Sequence, residues 1–185
     1  KLNNGFIRLQ YNYNRFNRNF VDDSTDVGGF SKYQKGKYNG TSNYAEIYTN
    51  LKLNKYVELL AGADYRQNST TQLYIYLPDY GFPSVPLSAD SAKTSQVSAY
   101  ASLILKTKKG LNVELGSRWN HHSIYGNNFT YSFNPFYLIN SHYKIFANIS
   151  SGYRAPSLYQ LYSEYGNKSL KPETTASYEA GIQFL

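Results

Sequence analysis

The sequence has no cysteine, no methionine and only one tryptophan among its 185 residues. The lack of cysteine removes a common zinc ligand, and it is compatible with an oxidising compartment without demonstrating one. No stretch reaches the roughly 18 apolar residues that a membrane-spanning helix needs, and apolar runs such as Phe136–Ile139 are short. If the chain crosses a membrane, it must do so as β-strands, whose backbone groups are satisfied between neighbouring strands.

The chain also lacks an initiator methionine, a signal-peptide pattern and any run of basic residues. It starts with lysine, so we expect an internal piece of a longer protein. Its 19 Lys and Arg against 12 Asp and Glu give a formal charge of +7. Because these cations are scattered, we expect no nucleic-acid partner. A basic outer surface facing anionic lipid explains the charge more simply.

Aromatic residues and polar–apolar alternation are what the sequence has in abundance, with 21 Tyr and 10 Phe. Successive side chains of a strand point to opposite faces, so the alternation predicts strands with one apolar and one polar face. Each run has about 10 residues, the length of a tilted transmembrane strand. The eight runs start near Ile7, Ala45, Val57, Val97, Leu111, Phe129, Tyr143 and Ala176.

The alternation also assigns the faces of a barrel. Parity within each run predicts a lumen-facing set that comprises Glu46, Glu58, Glu114, Arg118 and Glu179. The same parity predicts a lipid-facing set that comprises Ile47, Leu59, Ala101, Val113, Ile145 and Ile182. Aromatic residues near the strand ends fit a girdle at the membrane interfaces, namely Tyr13, Phe16, Tyr56, Tyr65, Phe129 and Tyr143.

The links between the runs differ in length. Links near 54–55, 107–110 and 140–142 are short, whereas those over 17–41, 67–94, 121–128 and 154–172 are longer. Strict alternation of short and long links is typical of an outer-membrane barrel with short periplasmic turns and long external loops. It predicts that odd-numbered strands run outward and even-numbered strands run inward.

The polar residues form no catalytic constellation, so we expect neither an enzyme nor a cofactor. Asp22, Asp23 and Asp26 cluster in the first long link and are weak calcium candidates. Val27 stands where an EF-hand requires glycine, and Tyr33 stands where its closing glutamate belongs, which excludes that motif. A solvated acidic turn is the alternative.

The stretch 151–184, SGYRAPSLYQLYSEYGNKSLKPETTASYEAGIQF, carries the most specific pattern. It resembles a signature of TonB-dependent outer-membrane receptors, in which a strand ends in G-[FY]-R-A-P-[ST], a loop contains L-x-x-L-[YF] and YGNxxLxPE, and the next strand opens with S-Y-E-x-G. The resemblance is closest to the cobalamin-receptor branch, with support from GADYRQNST at 62–70 and LGSRW at 115–119. The matching positions are Gly152, Tyr153, Arg154, Ala155, Pro156, Ser157, Leu158, Leu161, Tyr162, Tyr165, Gly166, Asn167, Leu170, Pro172, Glu173, Ser177, Tyr178, Glu179 and Gly181.

The resemblance implies an all-β fold: an antiparallel, up-and-down transmembrane β-barrel segment. Residues 1–185 would be a partial barrel domain, about eight strands of a larger barrel, without the plug domain that fills the lumen of such transporters. It further implies TonB-energised uptake of a scarce large solute, a corrinoid or a ferric siderophore, across the outer membrane. The implied partners are outer-membrane lipid, the plug domain of the same full-length chain, and the inner-membrane TonB complex, reached through the missing N-terminal region.

Within this resemblance, the link 67–94 is a candidate for ligand capture at the barrel mouth through Tyr74, Tyr76 and Tyr80. A loop that merely covers the opening is the alternative. Arg154 and Glu173 are expected to form a structural charge pair at the ends of the signature loop. The alternative is a self-contained eight-stranded outer-membrane barrel protein. A soluble glycan-binding β-protein is disfavoured, because it would need polar residues at many of the outward Ile, Val, Leu and Ala positions.

Overall fold

The computed structural model describes residues 4–22, 33–77, 92–108, 110–139, 142–163 and 165–184. These residues form eight strands and one short helix. The elements are β1 (Gly5–Asp22), β2 (Tyr33–Lys52), β3 (Val57–Leu77), β4 (Lys93–Lys106), β5 (Leu111–His122), β6 (Gly126–Ile139), β7 (Tyr143–Arg154), α1 (Leu158–Tyr162) and β8 (Glu173–Phe184).

The strands form one sheet in the order β1-β2-β3-β4-β5-β6-β7-β8, and every neighbouring pair is antiparallel. This confirms the predicted all-β, up-and-down architecture. β1 and β8 are the two edges of the sheet, so the sheet does not close on itself as a self-contained eight-stranded barrel would. Among the described residues, no helix is long and apolar enough to cross a membrane.

The strand register confirms the predicted division into two faces. One row of directly opposed residues crosses all eight strands on the apolar face and comprises Gly5, Leu51, Leu59, Leu103, Leu115, Phe133, Ile149 and Tyr178. The next row, one residue along, lies on the other face and includes Asn50, Ser102, Gly116, Ser132, Ser150 and Ser177. Both predicted sets therefore occupy the faces to which parity assigned them.

The burial pattern is the reverse of that in a water-soluble protein. Asp64 and Ser98 on the polar face are 5% and 0% exposed, whereas Ile7 and Leu9 on the apolar face are 62% and 76% exposed. The polar face is the inward one, and the apolar face needs an apolar surrounding. A soluble β-protein would place these faces the other way round, so the glycan-binding alternative does not fit.

Three predicted boundaries are wrong. β1, β2 and β3 have 18, 20 and 21 residues rather than about 10, and their pairing continues to Asp22 opposite Gln34 and Tyr33 opposite Leu77. Much of what we predicted as the links 17–41 and 67–94 is therefore strand. Backbone hydrogen bonds can extend a β-ladder regardless of side-chain type. A strand that continues beyond the bilayer therefore loses the polar–apolar alternation of its sequence but does not end there.

The link 121–128 is also shorter than predicted, because β5 and β6 are joined by only residues 123–125. Gly126 follows this turn with φ +68°, a conformation that favours glycine. Short and long links therefore do not alternate strictly. Phe16 is a further correction: it has the inward parity of β1 and its ring lies against Gly40, so it does not belong to an outward girdle.

Candidate functional site

A polar network covers the inward face of β1 to β5. The Arg118 guanidinium forms an ion pair with Asp64, whose side chain is only 2% exposed. Arg118 Nε also donates to Asn120 Oδ1 at 2.9 Å, and Gln96 Nε2 donates to the same oxygen at 3.2 Å. Since buried polar groups are costly without partners, these contacts compensate for placing Asp64 inside the sheet.

Tyr100 extends the network toward β1. Its hydroxyl donates to Glu46 Oε1 at 2.6 Å, and Gln10 Nε2 donates to the other oxygen of that carboxylate. Arg118 lies over the Tyr100 ring at 5.2 Å from its centroid. The side chains thus link five neighbouring strands across the inward face, which stiffens this part of the wall.

Aromatic rings lie over glycines toward the C-terminal end of β1 and the N-terminal end of β2. Phe16 is opposite Gly40 and Phe20 is opposite Gly36, and a Cβ at either glycine would overlap the facing ring. The rings cover the backbone where the glycines provide no side chain. Phe20 also stacks on Tyr38 with ring centroids 6.2 Å apart. These contacts form an aromatic rim on the inward face.

A cavity of about 990 Å³ lies between this rim and the signature loop. Tyr74 lines it from β3 and tilts against Phe20, with ring centroids 6.5 Å apart. Leu158 and Tyr159 of α1 also line it. The volume is within the range of known small-molecule sites, about 300–1,000 Å³.

The charge of the cavity lining is entirely positive. Its described lining residues include Arg18, Arg66, Arg118 and Arg154 but no Asp or Glu. Arg118 and Arg154 are paired with carboxylates outside the lining, whereas Arg18 and Arg66 form no ion pair with any described residue. Arg66 instead lies over the Tyr44 ring at 5.2 Å. The cavity therefore suits an anionic, partly aromatic molecule.

The signature loop begins with a capped helix. Ser157 is the N-cap of α1, and Gln160 completes a capping box: Gln160 N–H donates to Ser157 Oγ at 3.2 Å, and Ser157 N–H donates to Gln160 Oε1 at 2.9 Å. Leu161 is 3% exposed and anchors the helix. The A-P-S-L-x-x-L part of the pattern therefore encodes the N-cap and the buried anchor residue of this helix.

The Y-G-N part of the pattern folds the chain back from the helix. Asn167 N–H donates to Gln160 O at 2.8 Å, and Asn167 Oδ1 accepts from Ser169 N–H at 2.9 Å. A Cβ at Gly166 would lie 2.8 Å from the Leu161 carbonyl oxygen, so glycine is required by the close approach. Tyr125 Oη donates to Leu170 O at 3.1 Å and ties the loop to the β5–β6 turn, and burial raises the pKa of Tyr125.

Arg154 and Glu173 stand opposite each other in the β7–β8 register, with 3.7 Å between Arg154 Nη1 and Glu173 Oε2. The predicted charge pair at the ends of the signature loop is present. Both side chains are about two-thirds exposed, at 69% and 67%. An exposed pair contributes about 0–1 kcal/mol, so it aligns the strand ends more than it stabilises them.

The structure locates only some of the other predicted site residues. Tyr74 lies in β3 rather than in a loop, and it lines the cavity. Tyr76 is also in β3, and Tyr80 lies outside the described residues. Asp22 ends β1, while Asp23 and Asp26 lie outside the described residues. The described part of the chain contains no cluster of three metal-ligating side chains.

Sequence reasoning missed the Asp64–Arg118 pair, the cavity residues Arg18 and Arg66, and α1. The helix had a signal, since S-x-x-Q is a capping-box pattern. Arg18 and Arg66 have inward parity, but only the extended register of β1, β2 and β3 shows that their strand segments meet at one cavity. The Asp64–Arg118 pair spans 54 positions in the sequence and needs the register of β4 as well.

The family model for "TonB dependent receptor-like, beta-barrel" matches residues 1–185, the whole chain. The chain belongs to the TonB-dependent receptor β-barrel family. Barrels of this family are outer-membrane proteins, so the apolar face of this TonB-dependent receptor sheet is the one that meets lipid.

Two curated TonB-dependent receptors are similar in sequence. The ferric enterobactin receptor of Pseudomonas aeruginosa is 30% identical over 125 residues, which is 55% of this chain and 17% of that protein. The probable TonB-dependent siderophore receptor PirA of Acinetobacter baumannii is 32% identical over 107 residues, 47% of this chain and 14% of that protein. The aligned part of this chain thus spans about a sixth of the length of these relatives.

Solved structures of a receptor and a transporter share the fold. A ferric enterobactin receptor mutant from Pseudomonas aeruginosa superposes with a TM-score of 0.70 at 22% identity, covering 100% of this chain and 31% of that chain. The copper transporter OprC superposes with a TM-score of 0.74 at 12% identity, covering 96% of this chain and 33% of that chain. At these identities the likeness concerns the fold alone.

Proposed function

We propose that residues 1–185 are a barrel segment of a TonB-dependent receptor that takes up a ferric siderophore across the outer membrane. The observation that carries the proposal is the arginine-lined cavity on the inward face, which has aromatic walls and no described carboxylate. Many ferric siderophore complexes are anionic, and guanidinium groups bind such oxygen-rich anions well.

A siderophore fits better than a corrinoid as the cargo. The sequence pattern alone favoured the cobalamin branch, but both curated relatives described above are named as siderophore receptors. A cavity whose charges are all positive also selects for anions rather than for a corrinoid, whose bulk is a neutral amide-bearing macrocycle. The proposed substrate class is therefore a ferric siderophore of net negative charge.

The proposal includes a plug domain of the same full-length chain and the inner-membrane TonB complex as partners. Buried side-chain oxygens of Asn128, Asn134 and Asn148 on the inward face have no hydrogen-bond partner among the described residues. Buried polar groups are normally satisfied, so this face is suited to contact a polar domain inside the barrel. The barrel positions the plug and the cargo, and energy for release comes from the inner membrane.

Replacing Arg66 by alanine in the full-length receptor should weaken binding of an anionic ferric catecholate at least about tenfold, because a hydrogen bond to a charged group contributes about 1.5–3 kcal/mol. Arg18→Ala should have a similar effect. Arg8→Ala is the matched control, since Arg8 has the same charge and inward parity on β1 but does not line the cavity. The measurement is the Kd of purified receptor, with uptake of radiolabelled iron by cells as a second readout. Unchanged affinity in both cavity variants would refute the cargo site.

Tyr74→Ala tests the aromatic wall. We expect a loss of about 0.5–1.5 kcal/mol in binding of a ferric catecholate, since ring contacts contribute that much beyond their area. Tyr74→Phe should keep the affinity if stacking is what matters. Whole-cell binding, normalised to surface expression, measures both. Equal binding by the alanine variant and the wild type would mean that Tyr74 only covers the opening.

A further inference from the structure

His122 is a buried titratable side chain that takes no part in the polar network described above. It is the last residue of β5, one register row beyond Tyr65 at the outer edge of the apolar belt, and only 6% of it is exposed. Ile124 N–H donates to His122 Nδ1 at 3.2 Å. A ring nitrogen that accepts a hydrogen bond carries no proton, so this contact requires neutral His122.

His122 is connected to the signature loop through Tyr125. The rings of the two residues lie against each other with their centroids 5.1 Å apart. Tyr125 Oη donates to Leu170 O at 3.1 Å, which is the hydrogen bond that ties the signature loop to the β5–β6 turn. The turn has only the residues 123–125. Because the turn is so short, a shift of Ile124 also displaces Tyr125 and its hydroxyl group.

No described carboxylate faces His122 to favour its charged form. Burial and the neighbouring His121 lower the pKa of His122 below its ordinary value. β4 and β6 place Gln96 and Gly126 opposite it, and neither of these residues titrates. The other titratable or charged groups of the turn, the signature loop and the adjoining cavity are Tyr125, Tyr153, Tyr162, Arg18, Arg66, Arg118 and Arg154.

We propose that His122 is a positioning residue that holds the signature loop against the β5–β6 turn at neutral pH and releases it in acid. Protonation of Nδ1 sets one donor against another, so the hydrogen bond from Ile124 N–H breaks and the cation must leave its buried site. The turn then shifts, and Tyr125 no longer reaches Leu170. Because α1 of the same loop lines the cavity, release also moves part of the cargo-site wall; only this consequence rests on the proposed function.

Acid favours the released loop because of where His122 binds its proton more readily. In the held state burial keeps the pKa of His122 low, whereas in the released state the pKa returns toward its ordinary value of about 6.5. The held state therefore keeps its full stability above about pH 6.5 and loses stability as the pH falls below that value. Since one proton is involved, the ratio of held to released loop changes by at most about tenfold per pH unit.

The test measures the mobility of the signature loop in the full-length receptor, reconstituted in lipid nanodiscs. Residues 1–185 contain no cysteine, so Lys171→Cys, beside Leu170, provides a single labelling site once any cysteines elsewhere in the receptor are replaced. Electron paramagnetic resonance of a nitroxide at this position gives the ratio of mobile to immobile label. We expect the ratio to rise several-fold between about pH 7.5 and about pH 5, by no more than about tenfold per unit. No cargo is added, so the result does not depend on the proposed function.

Three variants in this background assign the pH response to His122. His122→Asn keeps a hydrogen-bond acceptor near the position of Nδ1 but cannot titrate, so the label should stay immobile at both pH values. Tyr125→Phe removes the hydroxyl group that reaches Leu170, so the label should be mobile at both. His121→Asn is the matched control: it removes the neighbouring exposed imidazole, which pairs with Asn127 instead, and should keep the pH response.

Heat-modifiable migration on gels checks that each barrel is folded. The proposal is overturned if the label on the wild-type loop is equally immobile at both pH values. It is also overturned if His122→Asn or Tyr125→Phe responds to pH as the wild type does, so either variant alone can decide the question.

Discussion

Asp64→Leu is expected to lower the free energy of unfolding of the full-length receptor by about 3 kcal/mol, the lower end of the cost of breaking a buried ion pair. The lower end applies because Arg118, which loses its partner, is 35% exposed and can be partly hydrated. Guanidinium unfolding of the receptor in phospholipid vesicles gives the measurement. The loss arises because, among the described residues, Arg118 would keep the hydrogen bond to Asn120 and the contact with the Tyr100 ring but no carboxylate partner.

Two variants make this prediction specific. Asp64→Leu/Arg118→Met should recover most of the loss, because it removes both charges together. Glu58→Leu is the matched control: it breaks the Lys106–Glu58 pair of 3.1 Å on the same face of β3, where Lys106 is 49% exposed. Its cost should stay below about 1 kcal/mol. A control loss as large as that of Asp64→Leu would contradict the special role of the buried pair.

Ala101→Arg is expected to destabilise the barrel by about 2–4 kcal/mol, because it places a cation on the lipid face near the middle of the membrane. Ala101 lies between Ala61 and Ser117 in the register, and Ala61 stands midway along β3 between Val57 and Tyr65, at opposite edges of the apolar belt. The same unfolding titration in vesicles measures the effect, and reduced insertion into the outer membrane should accompany it.

Ser102→Arg is the control for this second prediction. Ser102 is the next residue, faces inward, and donates to Glu114 Oε1 at 2.9 Å. An arginine there would stand beside a carboxylate in the lumen and should cost less than about 1 kcal/mol. Gln96, which also faces inward, is a weaker control because its side chain donates to Ser98 and Asn120. Equal losses for Ala101→Arg and Ser102→Arg would mean that the register is shifted by one residue.

The polar network and the cavity divide the inward face into two regions with different roles. Asp64, Arg118, Tyr100 and Glu46 satisfy one another and leave little capacity for a ligand. Arg18 and Arg66, closer to the strand ends, form no ion pair with a described residue and line the cavity. The hydrogen-bonded network forms a rigid wall beside the cavity, whereas the guanidinium groups of Arg18 and Arg66 can contact a ligand. Such a rigid support holds a binding site in place.

The sequence by itself determined the strand class, the number of strands and the face of nearly every residue. It could do so because a strand alternates with a period of two and a bilayer demands an apolar side, so composition along the chain reports both. The signature at 152–181 could also be recognised from the sequence, because its residues encode local structure. These are the N-cap at Ser157, the close approach of the Leu161 backbone to Gly166 and the turn at Asn167.

Only the tertiary structure decided where strands end outside the membrane and which inward residues meet. Beyond the bilayer no apolar side is required, so β1, β2 and β3 continue through polar sequence that looks like loop. The Asp64–Arg118 pair, the rings over Gly36 and Gly40, and the cavity with Arg66 all depend on register between strands distant in sequence. The register between strands is set by backbone hydrogen-bond ladders and turn geometry, and the sequence of a single strand specifies neither of these.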